Sequence, residues 1–121
     1  MTKQENIENW LSLANDDLRS AEVLYNEGLW LNVAFHCQQA IEKSCKGLYI
    51  YFVDNNYPYS HDIKEILLKF ESYLPVQIPN HIYDSVDELS AYHIKGRYAS
   101  FKQRLNMKLN KEKNLKYFIN N

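Results

Sequence analysis

The run Phe35-His36-Cys37-Gln38-Gln39-Ala40-Ile41-Glu42-Lys43 lies within the most apolar helical pattern of the sequence. From about residue 31 to residue 53, apolar side chains recur at helical spacing and cover most of the helix circumference. The main stripe consists of Ala34, Cys37, Ile41, Cys45, Leu48 and Phe52. The polar strip that remains consists of Asn32, His36, Gln39, Lys43 and Lys46. Such a helix is predicted to lie at the centre of a bundle, or between a bundle and a partner.

Amphipathic helices are also predicted on both sides of this central one. The first covers residues 7–25, and two more follow the loop after residue 53. Their boundaries are marked by Gly28, by Asp62 with Glu65 as a capping box, by Asn80 and by Gly96. After residue 96 the pattern is weaker, although Asn110 could cap a last helix. Short connections and the lack of a convincing strand predict an all-α antiparallel bundle of four to five helices. We expect it to form a single domain over residues 1–121.

Composition favours a globular protein of the cytoplasm. Hydrophobic residues make up 45% of the chain, with only three Gly and three Pro. No stretch of about 18 uncharged apolar residues predicts a membrane span, and the first residues lack an apolar signal core. Cys37 and Cys45 are separated by about 12 Å of helical rise, beyond disulfide reach. Two free thiols fit a reducing compartment, and we expect both to line the core.

Charge is distributed unevenly along the chain. Residues 1–94 carry six basic and fourteen acidic side chains, whereas residues 95–121 carry eight basic side chains and only Glu112 as an acid. The two parts therefore have formal charges of −8 and +7. This division predicts either an anion-binding end or a basic segment that lies on an acidic body.

These patterns together resemble the HEPN domain family over nearly the whole chain. The most specific stretch is residues 34–48, which resembles the second helix of the family. The other matching motifs are Trp10-x3-Ala14-x2-Asp17-Leu18-x2-Ala21, His61-Asp62-Ile63 with Leu67-Leu68, and Gly96-Arg97-Tyr98. The resemblance implies a helical bundle, usually a homodimer and often encoded beside a minimal nucleotidyltransferase, with roles in nucleotide or RNA binding.

Many HEPN proteins are metal-independent ribonucleases in toxin–antitoxin or defence pairs, and this chain departs from their motif. Those members use an Arg followed, after four to six residues, by a His. The corresponding positions after Arg97 hold Lys102, Gln103 and Arg104, and neither Arg19 nor Arg104 has a His at that spacing. We therefore assign no catalytic residue, and we expect no cofactor.

Polar residues of the central helix supply two groups of candidate site residues. His36, Gln39, Lys43 and Lys46 share one face, where they could hold a phosphate or a base. The alternative is a solvated face. Gln38 and Glu42 lie instead on an arc otherwise formed by aromatic and cysteine side chains. A buried Glu needs a partner, so we predict a structural or dimer-interface role for this pair, with Lys43 or Arg97 as a possible partner of Glu42.

Histidines give weaker signals. His61 lies about one helical turn from Glu65, a spacing that could begin a metal site, but no third ligand follows at a recognisable interval. We therefore predict no metal site, with Asp62 as a helix cap and His61 as a loop anchor. His93 lies on the apolar face of the fourth helix, where a core histidine is the simpler interpretation.

The basic segment is the strongest functional clue. Arg97, Lys102 and Arg104 alternate with Tyr98 and Phe101, which brings cations and stacking surfaces together. Nucleotides and single-stranded RNA need both. The alternative is that the two aromatic rings close the core while the cations offset the acidic first helix.

Three functions are compatible with these patterns. The first is a dimeric, non-catalytic module that acts with a minimal nucleotidyltransferase and binds a nucleotide or RNA through residues 95–108. The second is a ribonuclease with an atypical general acid or base, such as His36 or His93. The third is an adaptor that binds only protein.

Overall fold

The computed structural model describes residues 1–90, which form four α-helices and no strand. They are α1, Lys3–Asn26; α2, Trp30–Phe52; α3, Ile63–Phe70; and α4, Asn80–Ser90. A short 3-10 helix, Glu71–Tyr73, follows α3 directly. The all-α prediction is confirmed, and each of the four predicted helices is present. None of the helices in this range is long and apolar enough to span a membrane.

The ends of α1 are fixed by local hydrogen bonds. Thr2 and Glu5 form a capping box, in which the Thr2 hydroxyl accepts from the Glu5 backbone N–H at 3.1 Å and Glu5 Oε1 accepts from the Thr2 N–H at 3.1 Å. The helix therefore begins earlier than residue 7, because its first turn is polar and carries no apolar signal. At the other end Gly28 adopts a φ of +72°, which favours glycine and turns the chain into α2.

Packing between α1 and α2 rests on small residues. Ile7, Ala14 and Ala21 are buried at intervals of seven residues along α1, and Ala21 contributes to a cluster with residues of α2. On α2, Gly47 lies against α1, so a Cβ added there would be 3.4 Å from Leu11 Cδ2 and 3.5 Å from Trp10 Cβ. Small side chains allow the two helix axes to approach closely.

Within residues 1–90 the buried core contains two clusters, and α2 contributes to both. The first joins α1, α2 and α4 through Ala21, Val33, Ala34, Cys37 and Leu89. The second joins α2, α3 and α4 through Cys45, Ile63, Ile66, Leu67, Phe70, Tyr83 and Val86. Ile41 packs against both clusters. The prediction that residues 31–53 form the central helix is therefore confirmed.

Hydrogen bonds at the start of α3 hold it against α4. Asp62 is the N-cap, and its carboxylate accepts from the Glu65 N–H at 3.3 Å. The predicted capping box is only half formed, because the Glu65 carboxylate accepts from the Ser60 hydroxyl at 2.9 Å instead. The Ile63 N–H donates to Ser90 Oγ at 3.3 Å, at the end of α4.

Gly47 offers a test of the α1–α2 contact. Replacing it with Ala should leave the protein as stable or raise the free energy of unfolding by up to about 1 kcal/mol, because Ala favours the helix and the partly exposed Leu11 side chain can shift slightly. Gly47→Leu should instead lower stability by about 1–3 kcal/mol through overpacking. Urea denaturation of both variants measures the difference, and equal stabilities would contradict the close approach.

Candidate functional site

The polar side chains of α2 lie in two networks, each built around one carboxylate. The Glu42 cluster consists of Gln38, Glu42, Lys46 and His61. The Asp17 cluster consists of Asp17, His36 and Lys43. Glu42 belongs to α2 itself, whereas Asp17 reaches α2 from α1.

The Glu42 carboxylate is buried and accepts hydrogen bonds from both α2 and the α2–α3 loop. Gln38 Nε2 donates to its Oε1 at 2.9 Å, and Lys46 Nζ donates to its Oε2 at 3.1 Å. His61 Nδ1 lies 3.2 Å from both carboxylate oxygens. Relative exposures of 0% for Gln38, 3% for Glu42 and 6% for Lys46 make this a buried ionic network. Such a charge is tolerated only with this many partners.

Lys46 departs from the sequence interpretation, which placed it on the outward polar strip. Its ammonium group is held by Glu42 and lies 5.4 Å from the centre of the Trp10 ring, a cation–π contact with α1. The Trp10 ring in turn meets Tyr57 edge-on at 5.0 Å. Lys46 is therefore enclosed by α1, α2 and the α2–α3 loop, and a simple helical wheel does not include these surroundings.

Of the two partners suggested for Glu42, Lys43 was wrong. Lys43 does not reach Glu42, because Lys43 Nζ forms a salt bridge with Asp17 Oδ2 at 2.6 Å. The other suggested partner, Arg97, lies outside the described residues. His61 was predicted to anchor a loop, and its contact joins the α2–α3 loop to Glu42 of α2, in agreement with that prediction.

The Asp17 cluster contains two of the four predicted ligand-binding residues on α2. Asp17 Oδ1 lies 2.9 Å from His36 Nδ1, while its second oxygen accepts from Lys43. Gln39, the third, donates instead from its Nε2 to Gln38 Oε1 at 2.8 Å. The structure therefore brings His36 and Lys43 together and connects Gln39 to the Glu42 cluster.

Asp17 is the residue that the sequence interpretation missed. It appears in the first-helix motif but was assigned no role. A signal was present, because Trp10, Asp17 and Leu24 recur every seven residues on the face of α1 that packs on α2. A carboxylate at such a position needs a cation from the neighbouring helix. His36 and Lys43, about two turns apart on α2, provide it.

Several predicted site residues lie beyond the part of the chain that the structure describes. They are Arg97, Tyr98, Lys102 and Arg104, together with His93, Phe101, Gly96 and the possible helix cap Asn110. Within residues 1–90, no group of three His, Cys, Asp or Glu side chains could hold a metal ion. His61 and Glu65 bind Glu42 and Ser60, respectively.

Both cysteines are buried, as predicted, and their thiols have low reactivity. Burial raises the pKa of Cys37 to about 11. Burial, together with the nearby Glu42 carboxylate, raises the pKa of Cys45 to about 12. The thiolate is the reactive form, so neither residue is suited to nucleophilic or redox chemistry near neutral pH.

Thiol labelling should reflect this burial. At pH 8 the folded protein should react with an aromatic disulfide reagent far more slowly than the same protein in urea, because burial raises the pKa of both thiols and keeps them protonated. Single variants Cys37→Ala and Cys45→Ala separate the two rates. Labelling of either residue at the rate of a free cysteine would contradict the raised pKa values.

The Glu42 cluster should contribute strongly to stability. Glu42→Gln leaves the Lys46 ammonium buried without its counter-charge, so the free energy of unfolding should fall by about 3–5 kcal/mol. Adding Lys46→Met should recover part of this loss. Urea denaturation measures both effects.

Lys64→Met is the matched control for this experiment. It breaks the exposed Lys64–Asp87 salt bridge of 3.4 Å, and it should cost less than about 0.5 kcal/mol. A Glu42→Gln variant as mild as this control would show that the Glu42 cluster is not a buried network.

Comparison with known proteins gives one match. A protein-family model described as HEPN domain matches residues 7–121. No curated protein and no solved structure matches the chain. The family model covers most of α1, all of α2 to α4 and the segment that follows them, and it includes every motif identified in the sequence. The chain belongs to the HEPN domain family.

Proposed function

We propose that the protein is a non-catalytic module that binds a nucleotide or RNA and acts with a minimal nucleotidyltransferase. The observation that carries this proposal is the contrast between the paired cations of the helical body and the cation-rich segment that follows it. The body itself offers a polyanion little attraction, so binding is assigned mainly to the segment.

Cations of the helical body are few, and half of them are neutralised. Residues 1–90 contain six Lys and Arg side chains against fourteen Asp and Glu. Lys43, Lys46 and Lys64 each lie within salt-bridge distance of a carboxylate. A body with this charge repels a phosphate backbone.

The segment 95–116 has the opposite character. It holds eight Lys and Arg side chains and one acid, and Arg97, Lys102 and Arg104 are interleaved with Tyr98. Guanidinium groups bind phosphate, and aromatic rings stack on bases. His36, Gln39 and Lys43 complete the proposed surface as secondary contacts, because a ligand phosphate would have to compete with Asp17 for Lys43.

Family membership supports the rest of the proposal. HEPN proteins are often encoded beside a minimal nucleotidyltransferase. They are commonly dimers, and many belong to toxin–antitoxin or defence pairs. In this chain no His follows Arg97 with four to six residues between the two, and this favours binding over ribonuclease activity.

Fluorescence anisotropy with a labelled single-stranded oligonucleotide tests the proposal. Binding should weaken with salt, and Arg97→Ala and Arg104→Ala should each weaken it by about 3- to 10-fold and reduce the salt slope by about 1. Lys69→Ala, which removes an exposed cation of α3, should leave affinity nearly unchanged.

Three outcomes would contradict the proposal. No binding of the oligonucleotide or of ATP at low salt, together with co-purification of a nucleotidyltransferase, would favour a protein-only adaptor. Cleavage of the oligonucleotide by the purified protein would favour a ribonuclease with an atypical site. Equal effects of Arg97→Ala and Lys69→Ala would move the binding surface away from the basic segment.

A further inference from the structure

An open groove beside α1 contains two charged groups, Asp16 and Arg19, that the proposed function does not use. It has a volume of about 520 Å³, within the size range of small-molecule sites. Its lining consists of Asp16, Arg19, Ser20, Val23 and Leu24 from α1, and His36 from α2. All of these residues lie outside the basic segment 95–116.

His36 is oriented for binding by the Asp17 cluster. Asp17 is a carboxylate that also accepts from Lys43, so the hydrogen bond at 2.9 Å is donated by His36 Nδ1. This contact fixes the imidazole and leaves Nε2 as the ring nitrogen that can meet a ligand. The side chain of His36 is 27% exposed, which allows access from the groove.

Arg19 supplies the second group. It is exposed on α1, one turn from Asp16 and on the same groove as His36. A guanidinium binds a phosphate through two parallel hydrogen bonds, and the imidazolium form of His36, in which both ring nitrogens are donors, adds a third contact through Nε2. These two groups together suit a single tetrahedral anion.

The remaining lining sets the character of the ligand. Val23 is 62% exposed and, with Leu24, forms an apolar wall beside the polar groups. Asp16 places a negative charge at the same groove, which disfavours ligands with several anionic groups. The groove therefore suits one phosphate attached to a body with an apolar face.

We propose that this groove is a binding site for small phosphate monoesters, with Arg19 and His36 as phosphate ligands and Asp17 as the residue that positions His36. The groove shares only His36 with the oligonucleotide surface proposed above, and this proposal can be correct whether or not residues 95–116 bind RNA.

NMR titration of the side-chain nitrogens of Arg19 and His36 tests this site. The probes are phenyl phosphate, AMP, ATP and inorganic phosphate. Phenyl phosphate and AMP should shift the His36 Nε2 and Arg19 Nε resonances saturably, with dissociation constants on the order of 1 mM. Inorganic phosphate lacks the apolar body and should bind more weakly, and ATP should bind more weakly because of Asp16.

Variants separate this site from the basic segment. His36→Asn keeps a nitrogen for Asp17 but removes Nε2, and Arg19→Gln removes the charge; each should weaken binding of phenyl phosphate by about tenfold or more. Lys3→Gln, a matched exposed cation at the other end of α1, and Arg97→Ala should leave it unchanged.

The proposal is overturned if a probe concentration of about 10 mM, tenfold above the expected dissociation constant, shifts neither resonance. It is also overturned if Arg97→Ala abolishes binding of phenyl phosphate while Arg19→Gln does not, or if the His36 and Arg19 resonances report tighter binding of ATP than of AMP. Because Arg19 is exposed, loss of binding in Arg19→Gln at an unchanged melting temperature reports on the site and not on folding.

Discussion

The buried carboxylate of Glu42 is the interaction on which the arrangement around α2 depends. It sits inside the bundle with 3% exposure and is surrounded by Gln38, Lys46 and His61. Removing a charge of this kind from water is costly, and only a full set of partners offsets the cost. The partners come from α2 and from the loop before α3, while Trp10 of α1 covers the Lys46 ammonium. One side chain therefore fixes three parts of the chain relative to one another.

Asp17 has a similar role between α1 and α2, and the two carboxylates together shape the proposed function. Lys43 and Lys46, the two lysines of α2, are both held in salt bridges. Both ammonium groups stabilise the packing of the helices, and a polyanion could bind them only by displacing a carboxylate. The proposed oligonucleotide surface therefore lies in residues 95–116, whereas the Asp17 cluster prepares His36 for a smaller ligand.

Sequence reasoning predicted the helices and the family, but it did not predict the pairing of charges. Apolar periodicity located α2 and its central place, because burial follows the helical repeat directly. The partners of Glu42 and Lys43 depend on contacts between distant parts of the chain: Asp17 is 26 residues from Lys43, and His61 is 19 residues from Glu42. Lys46 looked solvated because a helical wheel of α2 does not include Trp10 or the α2–α3 loop.

Exchange of the Lys46 ammonium hydrogens with water tests the central claim most directly. Side-chain ¹⁵N NMR can compare Lys46 with Lys69, an exposed lysine on α3. If the Glu42 cluster is a buried network, the Lys46 hydrogens are hydrogen-bonded and shielded, and they should exchange much more slowly than those of Lys69. Exchange of Lys46 at the same rate as Lys69 would show that its ammonium group is solvated, and it would contradict the account.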